Sequence, residues 1–174
     1  MSSGRFDYVR AFSQAAENVI IRLLAVQPER GTLAFQVGSS VKMDQFNLII
    51  GLTGVIKGQV CYSMSREVAK AIASLMMGRE ILELDVMAES ALCEFANMIS
   101  GNATIILAEE EGGATTITPP TIVIGNSLEA VWYGVRTMII PFHLSVGSFS
   151  VLVGLTADHA STPTPFQRGT RELS

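Results

Sequence analysis

Apolar side chains recur at Val9, Phe12, Ala16, Ile20 and Leu23, the spacing of one helix face, and predict an amphipathic helix over residues 6 to about 24. Pro28 and Gly31 are its expected end. After a short extended segment at 32–37, residues 46–64 read as two β-runs turning around Gly54 to Gly58, a hairpin. The glycines Gly51, Gly54 and Gly58 do not make a phosphate loop, because no Gly-Lys-Ser/Thr ending follows and no helix opens from them. Turn glycines are the better reading. Ser65 is placed to cap a helix that carries Glu67 and Val68 in its first turn, runs to Met77 and stops at Gly78.

The longest predicted element starts at the N-cap Asp85 and runs to about residue 108, interrupted only by Gly101. At ~1.5 Å per residue it is ~36 Å long. Glu109, Glu110 and Glu111 follow, then Gly112 and Gly113; three carboxylates at a helix C-terminus oppose its dipole, so fraying is expected there, with solvated side chains. Thr118-Pro119-Pro120 is a rigid extended break before a short β-run at 121–124. Two longer β-runs, 130–142 and 146–156, end the fold as an antiparallel pair. Residues 157–174 are polar and rich in Ser, Thr and Pro, which predicts a domain over 1–156 and a disordered tail after it. The order implies an α+β fold, a largely antiparallel β-sheet covered on one face by long helices.

Composition adds exclusions. Hydrophobic residues make up 48% of the 174 and charged ones 16%, enough for a single core with apolar surface left over for a subunit interface. The net charge of -4 comes without any Lys/Arg cluster, so nucleic acid is not an expected partner. The start lacks a signal-like apolar stretch, and no later run is read as approaching the ~18 apolar residues of a membrane span, which places the chain in the cytoplasm. Cys61 and Cys93 stand apart from each other and from His143 and His159, so no metal site is read, and both thiols are expected to be buried and inert. Cys93 adjoins Glu94, but neighbours on a helix point ~100° apart, and no histidine is near to activate the thiol.

The long helix has an unusual outer face. With Ser90 as zero, Glu94 lies at about +40°, Asn97 at about −20° and Gly101 at about +20°. Ala88, Leu92, Phe95, Ile99 and Ile106 fall on the opposite, buried side. A solvent face normally carries Lys, Glu, Arg and Gln; Asn and Gly cost up to ~1 kcal/mol of helix propensity each and here make no cap. Short residues at both ends leave a flat landing surface from which a carboxylate and an amide project, with Met87, Met98 and Ile105 as flexible apolar flanks for docking. A polar face with a tolerated Asn is the plainer alternative. The Glu/Asn pair offers too few ligands for a metal and no nucleophile, but an amide donates and accepts at once and can hold a water in line with a bond to be attacked.

Ser90, Glu94, Asn97 and Pro120 fit the pattern Asp/Ser-x3-Glu-x2-Asn-x22-Pro and so resemble the CheC/CheX/FliY family of chemotaxis phosphatases. Gly101 and the Thr118-Pro119-Pro120-Thr121 run also look like that family, and the similarity of element order spans residues 6–156. The first helix has Ser13 and Glu17 in the same register, but Ile20 stands where a second Asn would be. One motif makes the chain similar to the CheX branch, with Glu17 an ordinary surface residue. The resemblance implies that Asn97 orients the water attacking the aspartyl phosphate of a CheY-type receiver, that Glu94 binds the receiver's lysine, and that Pro120 is structural. It also implies that the receiver brings its own Mg²⁺, that this chain binds no cofactor, and that two copies join as a homodimer through their sheets. A receiver-binding switch or adaptor without hydrolysis is the alternative within the same family.

Overall fold

In the computed structural model, helix α1 (Tyr8–Val19) widens into a single π turn, Ile20–Leu24, and ends at Ala25, whose φ of 55° is left-handed. The end thus comes before the expected Pro28. The structure describes residues 8–37, 40–132 and 135–157, and the expected tail from residue 158 onward lies outside them. Phe12, Ala16 and Ile20 are buried, as their spacing predicts. Glu17 is half-buried.

Strands β1 (Glu29–Arg30), β2 (Ala34–Val37) and β3 (Val41–Met43) lead into the expected hairpin, β4 (Phe46–Gly54) and β5 (Ile56–Met64). The turn is tighter than predicted, with only Val55 between the strands. Gly58 has a different task. Its φ is +141°, and a Cβ there would collide with the Gly154 carbonyl oxygen, so two strands approach each other through it. Helix α2 (Arg66–Met77) has the predicted ends: the Ser65 hydroxyl accepts from the Val68 N–H at 3.2 Å, and Gly78 is left-handed.

Helix α3 (Val86–Glu111) begins at its predicted cap, where Asp85 Oδ1 accepts from the Ala88 N–H at 2.8 Å. It does not fray at residue 108. Left-handed Gly112 closes it by donating to the Ala108 carbonyl at 2.9 Å, and Arg10 of α1 forms an ion pair with Glu110. Those contacts offset the unfavourable dipole. Over Val86–Glu110, α3 is long and apolar enough to cross a membrane, contrary to the sequence expectation. Its apolar side is occupied within the domain, since Leu92, Phe95, Ile99 and Leu107 are fully buried.

After α3 come β6 (Thr115–Ile117), β7 (Thr121–Ile124), β8 (Leu128–Ala130), β9 (Arg136–Leu144) and β10 (Gly147–Ala157), five strands where three were expected. The main sheet runs β1-β9-β10-β5-β4-β6, with β2 also on β9 and β7 also on β4, every pairing antiparallel. The predicted strand over 130–142 is two pieces. Its first residue belongs to β8, which pairs with β3 as a separate ribbon. Trp132 follows, its indole N–H donating to Gln59 at 2.9 Å and its ring stacked where a side chain on Gly154 would stand. Pairing in the main sheet resumes at Arg136, opposite Val37.

Period-two alternation sorts the sheet into two faces. Leu48, Ile50, Val60, Tyr62, Ile140, Phe142, Val151 and Val153 share the main core with the three helices. Cys61 and Leu152 point the other way and are covered by Val41 of the ribbon, with Ile49, Trp132 and Ile139 beside them. The architecture is α+β, with helices on one face of an antiparallel sheet. Val151, taken from the sequence as a position for testing a sheet interface, is fully buried beneath the helices and cannot serve that purpose.

Candidate functional site

The site is built on α3, which lies between α1 and α2 and rests on β4 and β6. Phe95 sets its edge against Phe149, with centroids 5.7 Å apart at 70°, and Ser100 shares a 2.7 Å hydrogen bond with the Tyr62 hydroxyl beneath it. Burial pushes the Tyr62 phenol well above its ordinary range, against the smaller opposing pull of Ser100. This buried pair fixes the rotation of α3 one turn beyond Asn97. Sequence reasoning missed it, although a Ser close to the buried side of a helix and an inward-facing Tyr on a strand were its signal.

Fixing that rotation turns the predicted stripe outward. Ser90 and Glu94 are exposed, while Asn97 and Gly101 are half-buried. Met87 and Ile105 are 62% and 60% exposed, but Met98 packs against the core and contributes only part of its side chain to the surface. Ile106, expected on the buried side, is half-buried. A Cβ on Gly101 would meet nothing within 4 Å, so no contact inside the domain requires a glycine there; the room it leaves opens outward. Among the described residues, neither the Glu94 carboxylate nor the Asn97 amide has a hydrogen-bond or ion-pair partner. The two groups stand one turn apart, about 5–6 Å between Cβ atoms, ready for a partner.

Pro120 sits apart from the stripe in sequence, half-buried between two strands that both pair with β4. Just before it, Thr118 exchanges bonds with Gly51: the Thr118 N–H donates to the Gly51 carbonyl at 2.9 Å, and the Gly51 N–H donates to the Thr118 hydroxyl at 2.8 Å. The Pro119-Pro120 break thus lets one edge strand restart as another. In α1, Ser13 is buried without a hydrogen-bond partner among the described residues and Ile20 is fully buried, so two of the three positions of the second register face the core.

Burial pushes the Cys61 thiol from an ordinary 9.0 up to about 12. Cys93 is half-exposed, not buried as expected, and its pKa is raised by partial burial and then by Glu89. Both stay protonated near neutrality and are poor nucleophiles. Because the fold favours the protonated Cys61, the stability it contributes is intact below pH 9 and lost as the pH rises from 9 through about 12. The thermal midpoint is expected to fall across that window, and to fall less steeply in Cys61→Ala.

Among the described residues, no group of three or more His, Cys, Asp or Glu is placed to hold a metal. Glu94 and Asn97 offer two oxygen-bearing groups on an open surface, short of the near-octahedral shell that Mg²⁺ demands. What the face can do is accept a cation's hydrogen bonds at Glu94 and orient a small hydrogen-bonding molecule at Asn97, against a flat surface that another backbone can approach.

A family model described as Chemotaxis phosphatase CheX matches residues 46–143. The CheY-P phosphatase CheX of Thermotoga maritima is 42% identical over 88 residues, 50% of this chain and 56% of that protein. The chain thus spans about half the length of this curated relative. Among solved structures, a putative chemotaxis protein from Desulfovibrio vulgaris Hildenborough superposes with a TM-score of 0.77 at 26% identity, over 89% of this chain and 100% of that one. The structure of the CheX-CheY-BeF3-Mg²⁺ complex from Borrelia burgdorferi matches with a TM-score of 0.75 at 27% identity, over 87% of this chain and 99% of that one. With the matched segment holding both the sheet's hairpin and the Glu94/Asn97 helix, the chain belongs to the family of the chemotaxis phosphatase CheX.

Proposed function

We propose that this chain hydrolyses the aspartyl phosphate of a CheY-type receiver in the cytoplasm. The observation that carries the reading is the pair of groups without a partner among the described residues, Glu94 and Asn97, on an open helix face. It is supported by the likeness to a curated CheY-P phosphatase and to a CheX solved with CheY. In this reading Asn97 accepts a hydrogen bond from a water and holds its oxygen in line with the phosphorus. That oxygen forms the new P–O bond, the bond to the aspartyl oxygen breaks, and the electron pair leaves with the carboxylate. Both of the water's protons end on inorganic phosphate, one kept on the attacking oxygen and the other passed to a phosphoryl oxygen. Glu94 pairs with the receiver's active-site lysine, fixing the angle of approach. The receiver supplies the Mg²⁺ that offsets charge on the phosphoryl oxygens.

An acyl phosphate is already labile, so positioning and electrostatics suffice and no protein nucleophile is required. That makes a non-catalytic receiver-binding module the weaker reading: binding alone makes no use of an unpaired mid-helix amide. The test is the lifetime of a phosphorylated receiver with Mg²⁺, alone and with the chain. Shortening is expected, and Glu94→Ala is expected to weaken binding and turnover together, about tenfold or more each, with little change in stability. A receiver that is bound but keeps its phosphate favours the binding module.

A homodimer through the sheet belongs to the same reading. The face away from the helices keeps an open groove of about 470 Å³, lined in part by Met43, Ile139, Pro141, His143 and Leu152, which a second copy can cover.

A further inference from the structure

We infer that Tyr62 and Ser100 are positioning residues for the phosphatase step: the hydrogen bond between them ties the turn of α3 that carries Asn97 to the middle of the sheet and sets the angle at which the amide meets the receiver. The inference rests on the phosphatase reading and adds to it what holds Asn97 in line.

Hydrophobic packing alone sets the rotation of α3 loosely. Its buried arc of Leu92, Phe95, Ile99 and Leu107 continues into half-buried Met98 and Ile106 and then into exposed Met87 and Ile105. Apolar side chains thus run more than halfway round the helix, and the burial of apolar area has no direction of its own. Ala88, Ala96 and Ala103 are fully buried on the inner side and small, so they form shallow ridges that do little to lock one angle.

Two contacts beneath the helix are directional. The edge contact of Phe95 with Phe149 is the more tolerant, since aromatic pairs are favourable over centroid distances of about 4.5–7 Å. The Tyr62–Ser100 bond is stricter. Both residues are 0% exposed and their oxygens lie 2.7 Å apart. A hydrogen bond weakens steeply as it bends, and a hydroxyl left unpaired in the core is costly, so the bond favours one rotation over its neighbours. A single polar group can in this way fix the register of otherwise apolar helices.

Neither end of the bond floats. Tyr62 sits on β5 between β4 and β10, opposite Leu48 and Val151. Ser100 is three residues past Asn97, and the helix ladder carries the restraint back: the Gly101 N–H points to the Asn97 carbonyl, while the Thr104 hydroxyl donates to the Gly101 carbonyl at 2.7 Å. With Ser90 as zero, Ser100 falls at about −80°, only about 60° from Asn97. Side chains reach ~5–6 Å from a helix axis, so a rotation of about 20° would carry the Asn97 amide ~2 Å. A misplacement of ~1 Å can cost on the order of 10²-fold in rate where a water must lie in line with a bond. Glu94 is more forgiving, because the lysine it meets has a long flexible side chain that can follow it. Loss of the buried bond is therefore felt in turnover and scarcely in affinity.

The experiment measures turnover of the phosphorylated receiver at saturation, the affinity of the full chain for a CheY-type receiver loaded with beryllofluoride and Mg²⁺, and the thermal midpoint, in wild type, Tyr62→Phe and Tyr62→Phe/Ser100→Ala. The single variant keeps the ring and loses the bond. Turnover is expected to fall about tenfold or more, with the dissociation constant within about twofold of wild type and the midpoint lower by about 3–8 °C. In the double variant no hydroxyl is left unpaired, so the midpoint is expected to recover most of that loss while turnover stays low. A contact that only stabilises the core would not separate the two. Turnover within about twofold of wild type in both variants, or turnover that recovers together with the midpoint in the double variant, overturns the positioning role and leaves the phosphatase reading intact. A wild-type chain that leaves the phosphorylated receiver's lifetime unchanged overturns both.

Discussion

Asn97→Ala is expected to lower turnover of a phosphorylated receiver by a factor on the order of 10² to 10³, with affinity for the beryllofluoride-loaded receiver changed by less than about threefold. The asymmetry follows from what the amide does in the proposed step. It touches a water that matters only while the P–O bond is being made, so its loss is felt in the transition state and hardly in the bound ground state. Docking area and the Glu94 pairing remain. Stability gives a clean control, because the Asn97 side chain makes no hydrogen bond among the described residues, and Ala is favoured over Asn in a helix by up to ~0.7 kcal/mol. The thermal midpoint should therefore hold or rise slightly. Asn97→Asp separates positioning from polarity: it keeps the acceptor, loses the donor and adds a negative charge facing a phosphoryl group, so it should be at least as inactive. An Asn97→Ala protein with wild-type turnover sinks the water-positioning mechanism, and Glu94 would then have to account for the activity alone.

The helix that carries these residues was legible in the sequence because three signals coincide on it. Asp85 caps it, Leu92, Phe95 and Ile99 recur on one face, and the opposite face breaks the usual rule with Ser, Asn and Gly. The hairpin over 46–64 and the Ser65-to-Gly78 helix were legible for similar local reasons. The ribbon of Val41–Met43 on Leu128–Ala130 was not, since three residues are too few to show a period, and their pairing joins segments far apart in the chain. The extra turn of α3 depends on Arg10 meeting Glu110, a contact between helices that no window along one of them contains. The hidden Tyr62–Ser100 bond is of the same kind.

The late strands hid their two faces for a further reason: where a covered sheet is apolar on both sides, alternation fades, and Val151 and Leu152 look equivalent. They are not, and Val151→Asp is expected to destabilise the domain strongly. Val151 is fully buried, opposite Tyr62 on one neighbouring strand and Ile140 on the other, all facing the helices. A carboxylate there would have no partner, at a cost of about 3–5 kcal/mol out of a total stability of about 5–15. For a domain of this size that lowers the thermal midpoint by about 10 °C or more, read by circular dichroism or calorimetry. A Val151→Asp protein melting within a few degrees of wild type would overturn the register in which β10 presents its odd-numbered residues to the helices. Ile139→Lys is the matching probe of the other face. Ile139 is half-buried and borders the open groove, so its long side chain can reach water and the fold should survive. If two copies meet there, that variant should sediment at half the wild-type mass with its helical signal intact, whereas an unchanged mass removes this face as the dimer contact. Only the pair of variants separates loss of an interface from loss of the fold, which a charge at Val151 alone would confuse.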